Sequence, residues 1–193
     1  MRRMDERAPG SKIPEAVRTL LEELGEDPDR AGLTGTPDRV RRMYAELTEG
    51  YHTDPDALLN GAAFEVDYDE MVVVRDIEFY SLCEHHLLPF FGRVHVAYLP
   101  GDKIIGLSKI PRIVDLFSRR LQVQERITEQ VADALMKLLQ PRGVLVLAEA
   151  RHLCMAMRGV EKQHSATATR ALRGVYAHDA QARQEILSMI KEK

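Results

Sequence analysis

Near Ala63 the spacing of apolar residues changes period. Upstream, Ile13, Val17, Leu20, Leu21 and Leu24 recur at three or four, and so do Val40, Met43, Tyr44 and Leu47. Each set draws one stripe on a helix. Gly25 and Gly50 close the two helices, and Thr36-Pro37 opens the second as N-cap and first turn. Residues 1–12 read as a charged tail and 52–60 as a loop. Downstream, residues 71–80 are rich in β-branched and aromatic side chains, which predicts a strand. Residues 93–98 alternate polar and apolar, which predicts a second, half-buried strand.

Helical spacing then resumes. Ser108 stands as N-cap before Ile110, Ile113, Val114 and Phe117, and a further helix carries Val123, Ile127, Val131, Leu135 and Leu138. Residues 144–147 form a nearly all-apolar strand running on toward Cys154. Residues 165–173 read as another strand, and Asp179 caps a terminal helix through Ile190. Two helices, two strands, two helices, two strands and one helix predict an α+β fold, antiparallel strands backed by helices. The period change divides it into an N-terminal helical appendage, 1–62, and a main domain, 63–193.

The chain has two cysteines and seven histidines among 193 residues. Cys83 and His86 stand three apart in Ser81-Leu82-Cys83-Glu84-His85-His86, so one tight turn can aim both at one point. Cys154 lies in His152-Leu153-Cys154, where a strand would put His152 and Cys154 on one face. Each cysteine alone is also explained as a small buried hydrophobe. Their clustering with histidines adds a second reading, a Zn²⁺ site on Cys83, His86 and Cys154. Three ligands leave a place for water, whose pKa falls toward ~7 on zinc. His85 and His152 then flank the metal, as proton carriers, or as an orienting group and a hydrogen-bonded core histidine. His95 reads as outward-facing or satisfied, His164 as surface, and His52 and His178 as loop residues.

Ser108, Lys109 and Arg112 fall in the first turn of a helix. Cations there oppose the helix dipole by a few tenths of a kcal/mol, so they point to an anion held at that end. Arg158 and Arg39 are further candidates, whereas Arg119-Arg120 reads as a solvated helix end. Gln124 and Glu125 begin a helix, which the dipole explains for Glu125. A carboxylate also complements a guanine edge. A net charge of −3 argues against general nucleic-acid binding. No apolar run is long enough to span a bilayer, and the first residues carry no apolar signal region. A cytoplasmic protein with reduced or metal-bound thiols is expected.

Taken together, Cys83-Glu84-His85-His86, Gly106-Leu107-Ser108-Lys109-Ile110 with Arg112, Gln122-Val123-Gln124-Glu125-Arg126, and His152-Leu153-Cys154 with Met157-Arg158-Gly159 resemble the GTP cyclohydrolase I family. Ser165-Ala166-Thr167 is similar too, and Leu121 departs from a position where Pro is common. The resemblance runs from about Thr36 to the C-terminus. It implies a tunnelling fold over 63–193, whose subunits join their sheets into stacked rings, a homodecamer with active sites between subunits. It implies zinc on Cys83, His86 and Cys154, and GTP converted to formate and 7,8-dihydroneopterin triphosphate, the first step toward pterins and folate. Gln124 and Glu125 would hold guanine. Ser108, Lys109, Arg112 and Arg158 would meet the triphosphate end, and Arg39 would reach a neighbouring site. His85, His152 and Ser108 would move protons. The rival readings are another tunnelling-fold enzyme for a purine- or pterin-like substrate, and a zinc-stabilised module without activity.

Overall fold

The computed structural model describes residues 11–58, 61–65 and 67–191. The tail expected at the N-terminus falls, up to residue 10, outside them, as do residues 59 and 60 of the expected loop. The chain divides into two compact units, Met1–Glu49 and Gly50–Lys193.

In the first unit, α1 (Ile13–Glu23) and α2 (Thr36–Leu47) contact each other. Gly25, at a φ of +82°, ends α1, and its N–H donates to the Glu22 carbonyl. A left-handed φ is where glycine carries no Cβ penalty. The predicted stripe of α1 is not buried: Leu20 and Leu24 are exposed. In α2 the helix begins one residue earlier than expected. Gly35 is the N-cap and Thr36 is already helical, so Thr36 does not cap.

The second unit starts with the end of a 3-10 turn (Glu49–His52), then α3 (Pro55–Leu58) and β1 (Ala63–Glu65). Next come β2 (Val72–Cys83), β3 (Pro89–Leu99), β4 (Lys103–Ile105) and α4 (Lys109–Ser118). A two-residue strand, β5 (Leu121–Gln122), leads into α5 (Gln124–Leu139) and β6 (Gly143–His152). A single turn, α6 (Leu153–Ala156), precedes β7 (Thr167–Gly174), α7 (Val175–His178) and α8 (Ala180–Lys191). Asp179 caps α8 as expected, its Oδ1 accepting from the N–H groups of Gln181 and Ala182. His52 and His178 therefore sit in short helical turns, not in loops.

The main sheet runs β5-β2-β3-β6-β7, antiparallel except for β5 against β2, and β1 pairs with β4 separately. Helices α4 and α5 cover one face. Ile110, Ile113 and Val114 of α4 are each 0–1% exposed. Burying such side chains contributes roughly 1.5–3 kcal/mol each, more than the few tenths that β-branching costs a helix. They pack with Phe79, Phe90, Val94 and Val96 of the sheet and with Ile127, Val131 and Leu135 of α5.

The predicted half-burial of β3 is not what forms. Val94 to Tyr98 are all buried, because Tyr176 of α7 and Ile186 of α8 cover Ala97 and Leu145 on the opposite face. Alternation along the strand reports only one covered face, and here a second apolar layer arrives from the C-terminus. His95 lies within this closed region at 5% exposure, its Nδ1 accepting from the Asp76 N–H. Gly92 of β3 pairs with Ala150 of β6. A Cβ placed at Gly92 would lie 1.9 Å from the Glu149 carbonyl oxygen. Arg120 also departs from expectation: it is half-buried, donates from Nε to the Leu116 carbonyl, and lies over the Phe117 and Tyr51 rings.

Candidate metal and catalytic site

Two strand registers create the site. The β2–β3 hairpin pairs Leu82 with Pro89, and β3–β6 pairs Phe90 with His152. The end of β2 and the end of β6 are therefore one strand apart. Cys83 is the last residue of β2, and its N–H donates to the Leu88 carbonyl. The connecting turn is tight rather than extended: the N–H groups of His86 and Leu87 both donate to the Cys83 carbonyl, and Leu87 takes a φ of +56°. His152 ends β6 and Cys154 falls in the α6 turn. The two do not share a strand face, as their spacing had suggested, because the chain turns helical immediately after His152.

The ligand atoms of Cys83, His86 and Cys154 all lie within 4.8 Å of one another. Cys83 Sγ to His86 Nδ1 is 4.0 Å. Tetrahedral zinc with ordinary Zn–S and Zn–N bonds spaces sulfur from nitrogen by about 3.6 Å. Small side-chain rotations thus suffice, and two thiols with an imidazole are a donor set suited to Zn²⁺. Burial pushes the Cys154 thiol pKa up, and the neighbouring Cys83 raises it further. Two thiols held together in this way gain from a divalent cation, which favours their thiolates. Cys83 is buried, Cys154 half-buried and His86 exposed, so the cluster faces solvent on one side.

His85 is exposed, with Nδ1 3.8 Å from the Cys83 sulfur, but it is not part of the triplet. His152 is half-buried. Its ring stacks on Phe90 at 4.6 Å between centroids and 3° between planes, and Nε2 lies 2.9 Å from Gln124 Oε1. Burial lowers the His152 pKa, with Glu125 pulling the other way. Arg158 Nη1 lies 3.3 Å from His86 Nε2, and a guanidinium can only donate.

Gln124 and Glu125 form the first turn of α5. Glu125 is exposed, while Gln124 is buried with its side-chain amide engaged by the protein. Ser108 and Arg112 are exposed at the head of α4. Ser108 occupies the N-cap position but makes no side-chain cap bond. Lys109 Nζ donates to the Leu58 carbonyl at 2.6 Å. No hydrogen bond or ion pair joins Ser108, Lys109 or Arg112 to the cluster among the described residues. Arg39 is exposed on α2, in the other unit.

Reasoning from sequence gave no role to Glu84 and Arg126, which clamp the site. The Arg126 guanidinium donates to both Glu84 carboxylate oxygens, at 2.5 and 3.1 Å, and holds that carboxyl below its usual pKa. Glu84 N–H donates to the Gln122 carbonyl. The Cys83–His86 turn is thereby tied to the head of α5. Both residues lie within the motif stretches, yet only the fold reveals that 84 and 126 face each other.

The GTP cyclohydrolase I family model matches residues 13–191. GTP cyclohydrolase 1 of Campylobacter jejuni subsp. jejuni (strain 81-176) is 56% identical over 179 residues, 93% of this chain and 94% of that protein. The protein of that name from Chlorobium chlorochromatii is 55% identical over 180 residues, 93% of this chain and 81% of its own length. Among solved structures, the archaeosine synthase QueF-Like in its apo form gives a TM-score of 0.47 at 15% identity. It covers 56% of this chain and 97% of that one, too distant a likeness to carry an argument. A family model that matches residues 13–191, and identity above one half over 93% of the chain, place the chain in the GTP cyclohydrolase I family.

Proposed function

We propose that the cluster is the zinc centre of an enzyme that converts GTP to formate and 7,8-dihydroneopterin triphosphate. The observation that carries this reading is the convergence of Cys83, His86 and Cys154 within 4.8 Å, open to solvent on one side. When bound there, zinc would supply Lewis acidity and an acidified water at neutral pH. His85 and His152 stand at the cluster's margin and move protons during opening of the imidazole ring. The Glu125 carboxylate accepts from guanine N1–H and the 2-amino group. Lys109, Arg112 and Arg158 meet the triphosphate; Lys109 has two ammonium hydrogens beyond the one given to Leu58. Ser108 assists proton transfer on the ribose.

The active enzyme is an assembly of copies, a homodecamer, with Arg39 reaching a neighbouring site. Among the described residues no helix is long and apolar enough to cross a membrane. The test pairs metal analysis with turnover. One zinc per chain is expected, with formate and a pterin that fluoresces after oxidation, from GTP. Metal-replete protein that forms neither product would overturn the reading.

A further inference from the structure

Gln124 is 1% exposed, and every polar atom of its side chain is spoken for. Nε2 lies 3.1 Å from the Ala148 carbonyl oxygen and 2.9 Å from that of Thr167. Both neighbours can only accept, so the amide must present its NH2 to them. The opposite orientation would set three oxygens against one another in a buried place. Oε1 therefore faces His152, and Oε1 can only accept. The 2.9 Å contact then requires that His152 Nε2 carry a hydrogen. With Nε2 protonated in the neutral ring, Nδ1 holds the lone pair. Phe90, parallel to the ring within 3°, keeps the imidazole from turning out of that plane.

We propose that Gln124 is a positioning residue: it locks His152 in the Nε2–H tautomer and makes Nδ1 the ring atom that works on the substrate. The consequence for binding is equally definite. Gln124 has no amide hydrogen left for guanine, so base recognition at the head of α5 falls to Glu125 and to backbone groups. The tautomer follows from the hydrogen-bond geometry; the action of Nδ1 on GTP rests on the function proposed above.

Neutron diffraction from metal-loaded crystals exchanged into D2O, at mildly alkaline pH, tests the tautomer. Deuterium is expected on His152 Nε2 and on both Gln124 Nε2 positions, with His152 Nδ1 bare. Deuterium on Nδ1 beside a bare Nε2 would overturn the proposal, whether or not the protein turns over GTP. A protein with the expected deuterium pattern and no activity would refute the functional reading instead. Kinetics of Gln124→Met, similar in shape but unable to accept, separate positioning from binding. kcat should fall on the order of 100-fold, as for other misplacements of a reacting group, with zinc content and KM for GTP unchanged. A raised KM at unchanged kcat would return Gln124 to guanine binding. A lowered melting temperature with unchanged kcat would leave it a purely structural residue. Either result overturns the assignment.

Discussion

The open end of the sheet and its closed middle use histidine in opposite ways. His152, at the end of β6 and two residues before Cys154, donates from Nε2 to a side chain and is half-exposed. His95, in the middle of β3, accepts from a backbone N–H and is buried at 5% exposure. Burial lowers the pKa of both. A lowered pKa therefore does not mark the working residue. What separates the two is access: His152 is partly open to solvent and His95 is 5% exposed.

The sharpest way to break the contrast is Cys154→Ala. It removes a ligand while leaving the strand registers intact. Zinc content should fall to background, and turnover by about 1,000-fold or more, since zinc supplies several kcal/mol of transition-state stabilisation. The far-UV circular dichroism should hold. One zinc per chain in that variant would refute the ligand set. Next in size, His85→Ala should keep zinc and lose about 100- to 10,000-fold in kcat, the span of general acid–base contributions. Unchanged turnover would remove His85 from proton transfer. Arg112→Ala should raise KM for GTP by roughly 10- to 100-fold, the worth of a charged hydrogen bond of about 1.5–3 kcal/mol, with little change in kcat. An unaltered KM would detach the head of α4 from the substrate.

The smallest effect belongs to the closed middle. His95 is held below the ordinary histidine range by burial; Asp76 and Glu149 oppose the shift, and Arg93 and Arg75 add to it. The unfolded chain thus binds this proton more readily than the folded one. Stability from the neutral ring is complete above the unfolded pKa, about 6.5, and is lost as pH falls toward the folded value. His95→Asn keeps an acceptor for the Asp76 N–H and abolishes the titration. Its melting temperature should change less between pH about 7 and about 5 than the parent's, at unaltered turnover. Equal slopes would assign the acid sensitivity elsewhere.

The main helices and strands were legible because each repeats its period long enough to register, as α4 and α5 do with four and more apolar positions. The short pieces were not. β5 has two residues and α6 four, and neither length carries a period. α6 nevertheless decides where Cys154 points. The covering of β3 from the C-terminal side was hidden for a different reason: Tyr176 and Ile186 meet Ala97 from far along the chain, and spacing reports only local faces. At the site, the residue types and the short turn from Cys83 to His86 could be read directly. The Gln124 amide could not, because its partners, Ala148, Thr167 and His152, come from two strands far along the chain. A glutamine beside a glutamate at a helix start looks like surface until those strands arrive.

A single hydrogen atom stands where any other residue at position 92 would carry a side chain. The alpha carbon of Gly92 presses on the backbone of β6 so closely that a methyl group would overlap the Glu149 oxygen. Any larger residue there would act as a wedge, prising β6 outward together with the His152 and Cys154 that it delivers. Selection for the proposed metal centre would then be felt at a position that contributes no donor atom. Gly92→Ala would report this as weakened zinc retention in a chain whose ligands are all still present.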